Sequence, residues 1–176
     1  MPNNIDINGR ETSPLKYAMH YGLYLGIFWA LKYLVYIAAM DVWVHFIYLY
    51  YLLNVGTFLM IYIFYLKYIN LDVSKVNNKF RGFLFVVLLC FFASFIEGAM
   101  IYVHFQIIDP SYYPSKIQPV LSNMIESFPY PQEVKTSALT MVGNNIWYVL
   151  STFIGNLFLG VLLGTPLALL VKKNNT

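Results

Sequence analysis

Four long apolar runs alternate with short polar breaks along this chain, at residues 17–40, 44–69, 83–108 and 145–171. Each is long enough to cross a bilayer as an α-helix, which takes about 20 residues at a rise of about 1.5 Å per residue. The third run, Phe83 to Ile108, is the most informative. At about 100° per residue, Cys90, Ala93, Ser94, Glu97, Ile101 and His104 fall on one stripe, and the other faces are mostly Leu, Val, Ile, Phe and Met. A lipid-facing helix gains nothing by gathering its small and polar residues on one line. The stripe therefore predicts a face turned toward other helices.

The remaining spans carry faces of the same kind. In span one, Ala18, Gly22, Gly26 and Ala30 recur every fourth residue and form a small-residue ridge that lets another backbone come close. Ser94 and Gly98 offer such a surface on span three, and Gly160 with Gly164 on span four. The connection from Asp41 to Trp43 is so short that spans one and two are expected as antiparallel neighbours. On span two, Tyr50, Asn54, Thr57 and Ile61 share a face. Tyr48, Tyr50 and Tyr51 near one end, with Tyr62, Tyr65 and Tyr68 near the other, read as aromatic belts at the two interfaces.

Between spans the chain is polar. Residues 1–15 read as a flexible tail, and residues 70–82 as a basic connector holding Lys75, Lys79 and Arg81. The first apolar run is too long for the core of a cleaved signal, so it is expected to be retained. Asp109-Pro110 stops span three, because the residue before proline is pushed out of the α region. Within the segment 109–144, Ile117, Val120, Leu121, Met124, Ile125 and Phe128 keep the spacing of an amphipathic helix, with Ser115 as its expected N-cap. A second short helix is expected from Gln132 to about Met141, both lying on the membrane surface or capping the bundle. Pro166 is expected to kink span four near its end.

Composition agrees with this pattern. Hydrophobic residues make up 59% of the chain and charged residues 11%, where a soluble domain carries about 45–50% and about 25%. The formal charge of +3 comes from scattered basic residues and excludes a nucleic-acid footprint. The expected architecture is all-α: a four-helix transmembrane domain over residues 16–173, with lipid as its principal surroundings. Eight of the eleven basic residues, Arg10, Lys16, Lys67, Lys75, Lys79, Arg81, Lys172 and Lys173, lie on the side of the two termini. The positive-inside rule therefore predicts cytoplasmic N- and C-termini.

Two charges fall inside the spans. Lys32 lies roughly 12 Å and Glu97 roughly 16 Å from the outer ends of their helices, at about 1.5 Å per residue. Asn54 and Asn156 lie at similar depth on spans two and four. An unpaired charge there costs at least about 2.5–3.5 kcal/mol. Three arrangements avoid that cost: a Lys32–Glu97 ion pair, a protonated Glu97 bonded to Asn54 or Asn156, or a Lys32 that snorkels outward and leaves Glu97 neutral. All three predict a polar layer of Glu97, Lys32, Asn54 and Asn156.

Other chemistry is sparse. Of His20, His45 and His104 only the last two share a depth, and no carboxylate or thiol motif joins them, so neither a metal nor a haem site is expected. The lone Cys90 rules out an internal disulfide or a CxxC pair. No GxSxG, HExxH, P-loop or paired-carboxylate motif occurs, and the chain is expected not to be an enzyme and to need no cofactor.

The YGLYLGIFW opening of span one, the FIEGAMIYVHFQIIDPSYY passage and the GNLFLGVLLGTPLALLVKK ending resemble the DUF4199 family of uncharacterised bacterial membrane proteins over nearly the whole chain. That resemblance implies a four-span architecture and the bacterial inner membrane, with no assigned activity or site residues. The expected role is that of an accessory or assembly protein packing through its small-residue faces onto a second copy or another membrane protein. The alternative is a small transporter or proton-coupled carrier using Glu97.

Overall fold

In the computed structural model, which describes residues 13–70 and 79–170, the core is built on one helix. That helix is α3 (Lys79–Val103), continued by a π-helical turn (His104–Ile108). Half of its apolar window is buried, against 28%, 11% and 6% for the windows of the helices α1 (Pro14–Asp41), α2 (Phe46–Asn70) and α6 (Asn145–Leu170). The buried side chains of α3 are Phe85, Val86, Leu89, Cys90, Ala93, Ser94, Glu97 and Ile101, which is the small and polar stripe extended toward its N-terminus. A second π turn (Tyr113–Ile117) and two short helices, α4 (Gln118–Ser127) and α5 (Gln132–Val142), complete an architecture that is all-helical among the described residues.

Four helices, Pro14–Asp41, Phe46–Asn70, Lys79–Ile108 and Asn145–Leu169, are long and apolar enough to span a membrane. Leu31, Val55, Leu59, Leu162 and Leu169 are among the large apolar side chains they leave exposed. In water such a surface would be a severe liability; in hydrocarbon it costs nothing. The chain is a membrane protein. Contacts group it into two units, Met1–Glu97 with Gly155–Thr176, and Gly98–Ile154.

In the first unit α1 and α6 each bring glycines against α3. A Cβ on Gly22 would meet Phe92 Cβ at 2.7 Å, and one on Gly26 would meet Ile96 Cβ at 2.8 Å and the Ala93 carbonyl oxygen at 2.9 Å. From α6, a Cβ on Gly160 would meet Cys90 Cβ at 3.0 Å, and one on Gly164 would meet the Phe83 carbonyl oxygen at 3.2 Å. Ala18 is fully buried on the same ridge of α1, whereas Ala30 is only half-buried. The two ridges are filled by α3. They are therefore not free faces awaiting a partner.

α1 and α2 pack together across the short connection. Val42 and Trp43 close α1 by donating to the Ala38 carbonyl, and the Phe46 amide donates to Trp43 to open α2. Tyr21 stacks on Phe64 at 4.9 Å, and Tyr68 lies flat on Phe85 at 4.3 Å. This corrects the reading of the inner tyrosine belt. Tyr62 is exposed, but Tyr65 and Tyr68 are buried in the helix core. The Tyr65 hydroxyl donates to the Leu167 carbonyl at 2.8 Å and so ties α2 to α6. α6 runs on through Pro166 to Leu170.

The second unit also departs from expectation at one point. Ser115 does not cap α4; its hydroxyl donates to the Ser111 carbonyl at 2.6 Å. The chain is already coiled through Tyr113–Ile117, and Ile117 is helical, so α4 begins as a continuation rather than a free end. α4 ends at Ser127 with Phe128 extended ahead of Pro129. Residues 1–12, the middle of the basic connector and the terminal lysines Lys172 and Lys173 lie outside the described residues.

The glycine contacts make a direct prediction. Gly26→Leu forces a side chain into a space already closed to a Cβ and should lower stability by about 1–3 kcal/mol. Gly155 meets nothing within 4 Å, and Gly155→Ala should leave stability unchanged or raise it slightly. Thermal unfolding of both variants in one mild detergent checks this; equal midpoints would remove close approach as the reason for Gly26.

Candidate functional site

Two places hold chemistry beyond lipid contact, one in each unit. The first is built from the intramembrane polar residues. Glu97 is buried on α3, 6% exposed, seven residues beyond Cys90 on the stripe that α6 covers. Asn156 lies one turn before Gly160 on α6, and the close approach at that glycine brings its carboxamide to α3. Asn156 Nδ2 donates to Glu97 Oε2 at 2.6 Å. The shortness fits a bond to a carboxyl oxygen in a site of low dielectric.

The second polar pair joins α1 to α2. Lys32 Nζ donates to Asn54 Oδ1 at 3.3 Å, and Asn54 Nδ2 donates back to the Tyr50 carbonyl at 3.0 Å. The Lys32 ammonium also lies 5.6 Å from the centre of the Trp29 ring, a favourable distance for a cation over an aromatic face. Of the arrangements left open by the sequence, each intramembrane charge thus takes an asparagine on the adjoining helix as its hydrogen-bond partner. Ionised, Lys32 and Glu97 also attract each other at longer range. The four polar residues form two pairs.

One contributor, Trp29, gave no signal in the sequence. Trp29 is completely buried, and its indole Nε1 has no acceptor among the described residues. Ser94 spends its hydroxyl on the Cys90 carbonyl at 2.6 Å. Gly98 is buried, and a Cβ there would make ordinary contact with Val149 Cγ1 at 3.5 Å. His45 is exposed beside Trp43, with ring centres 4.7 Å apart, and His104 is buried against Tyr112 at 4.8 Å. Among the described residues no three His, Cys, Asp or Glu side chains stand close enough together to hold a metal ion.

The second place is an apolar cleft of about 300 Å³ between α4, α5 and the start of α6. Leu121 and Ile125 form one wall, Ala138 and Met141 another, and Trp147 a third. Tyr113 reaches it from the second π turn, with its hydroxyl donating to the Val142 carbonyl at 2.6 Å. Burial pushes the Tyr113 phenol above its ordinary pKa, so the hydroxyl remains a donor at neutral pH. At the turn leading to it, Asp109 accepts from the hydroxyl and the amide of Ser111 at 2.6 and 3.0 Å. The hydroxyl bond foremost holds the Asp109 carboxyl below the usual aspartate range.

A family model described as a protein of unknown function, DUF4199, matches residues 20–173. No curated protein and no solved structure matches the chain.

The Glu97–Asn156 bond is open to a double-mutant cycle. Glu97→Leu and Asn156→Leu should each destabilise the protein, and the double variant should lose less than the sum. The coupling should lie between about 0.6 kcal/mol, the average for hydrogen bonds between membrane helices, and about 1.7 kcal/mol, the largest measured. Additive losses in unfolding from detergent micelles would argue that the contact contributes nothing.

Proposed function

The chain belongs to the DUF4199 family, described only as a protein of unknown function, and from that premise we propose that it is a non-enzymatic integral membrane protein acting as an accessory or assembly partner. The observation that carries this reading is that both intramembrane charges end on asparagine amides of adjoining helices. A charged group held this way serves as glue between spans: removing its partner leaves a polar group stranded in hydrocarbon, and keeping it fixes helix rotation. The glycine ridges are filled by α3, so a partner would meet other surfaces. The exposed apolar residues Val120 and Met124 on α4, Phe128 just after it and Val134 on α5 are the favoured ones.

On this reading the protein lies in the bacterial inner membrane with both termini in the cytoplasm. Support comes from the eight basic residues gathered on that side against Lys116 and Lys135 in the segment between spans three and four. A second reading, a small proton-coupled carrier, draws on one specific feature: Glu97 is a buried titratable group within a helix long and apolar enough to span. Such groups mark proton pathways in many membrane proteins.

Three measurements separate these readings. The assembly role predicts a stoichiometric protein companion on purification of the native chain in mild detergent; recovery of the chain alone at native abundance would oppose it. Glu97→Gln keeps the shape and a hydrogen-bonding oxygen, so stability should fall little and proton flux in reconstituted vesicles should equal that of the unaltered protein. Loss of a measurable flux would establish the carrier instead. For orientation, a membrane-impermeant thiol reagent should reach Asn78→Cys, made in a Cys90→Ser background, only after the inner face is opened. Labelling in intact cells would reverse the topology.

A further inference from the structure

The cleft in the unit Gly98–Ile154 has a lining that restricts what can enter it. None of its lining residues carries a charge. The Tyr113 hydroxyl is committed to the Val142 carbonyl at 2.6 Å and the Ser151 hydroxyl to the Tyr148 carbonyl at 2.8 Å. Besides the Trp147 indole and the Tyr148 phenol, a guest meets methyl groups, methylenes and ring faces. A peptide, a sugar or a phosphate would bring donors and acceptors that must give up water, at a cost of about 1–3 kcal/mol for each group left unpaired. A hydrocarbon chain brings none.

The source of such a chain follows from where the cleft is rooted. Trp147 and Ser151 stand two and six residues into the span Asn145–Leu169, which at about 1.5 Å per residue is roughly 3 and 9 Å along the helix. That is the level of the headgroup and acyl boundary, where Trp and Tyr gather and where amphipathic helices lie. On the same turns of α6, Ile146, Leu150 and Ile154 are exposed and continue the apolar surface that the span presents to lipid. The cleft and the lipid-facing surface are thus joined through one helix. Tyr113 is fixed at the cleft by its bond to the Val142 carbonyl at the end of α5.

We propose that this cleft takes up the acyl chain of a bilayer phospholipid from the adjoining leaflet. The chain lies between Leu121 and Ile125 on one side and Ala138 and Met141 on the other, with the Trp147 ring at the membrane end. The inference goes beyond an assembly role and does not require it.

The test uses the full chain in vesicles of phosphatidylethanolamine and phosphatidylglycerol, with a trace of phosphatidylethanolamine carrying a diazirine in one acyl chain. After illumination, modified residues are mapped by peptide mass spectrometry. The expected result is modification of Ile125 and Met141, lost in Ala138→Trp, which fills the cleft, while modification of the spans persists. Leu121→Trp fills it from the opposite wall and serves if Ala138→Trp does not fold. Three results would overturn the proposal: no modification of α4 and α5, modification unchanged by either filling variant in folded protein, or cleft modification by a free diazirine fatty acid but not by the phospholipid.

Discussion

The approach of α1 and α6 to α3 at Gly22, Gly26, Gly160 and Gly164 is the constraint on which the rest of the first unit depends. In hydrocarbon there is no gain from hiding apolar side chains, since lipid tails serve as well. Helices associate through dispersion contacts and polar bonds, both of which fall away within an ångström or two. Glycine allows that distance to close until neighbouring backbone and Cβ atoms nearly touch. α3 answers with its own small residues, Cys90, Ala93 and Ser94, and so receives a helix on more than one side.

The polar pairs follow from this packing. Asn156 reaches Glu97 because Gly160, one turn along, has already brought α6 against α3. Lys32 and Asn54 meet on the α1–α2 pair, where Gly56 lies against the Phe28 ring. Each bond is directional, whereas glycine contacts tolerate sliding by a turn. Together they select one register among several of similar packing energy. The unpaired Trp29 indole, fully buried near Lys32, is the exception in this otherwise satisfied region.

Much of the architecture was legible because hydrocarbon imposes a simple rule on length and polarity. The four spans are evident in that rule, but it marks the membrane slab rather than the ends of the helices. α3 accordingly already includes Lys79, four residues before the apolar run, since a polar sequence continues a helix into water without penalty. α1 begins at Pro14, whose fixed φ suits a first helical turn. Depth put Lys32, Asn54, Glu97 and Asn156 at one level, but depth carries no information about rotation, and rotation decides which side chain meets which. The inward turn of Tyr65 and Tyr68 was hidden for that reason. So was the use of Ser115 within a π turn, because widened turns leave no periodic trace in so short a segment.

The bond from Tyr65 to Leu167 has a consequence for biosynthesis. Its donor and acceptor lie about a hundred residues apart, and the chain enters the membrane from its N-terminal end. When α2 is inserted, the Tyr65 hydroxyl has no α6 to bond. Until the last helix arrives, α2 therefore carries a polar group in or near hydrocarbon, satisfied only by whatever water or headgroup it can reach. The arrival of α6 relieves that burden and supplies the glycines that close on α3. Completion is thus coupled across the bundle: the final span both finds its place through α3 and settles a debt left by the second.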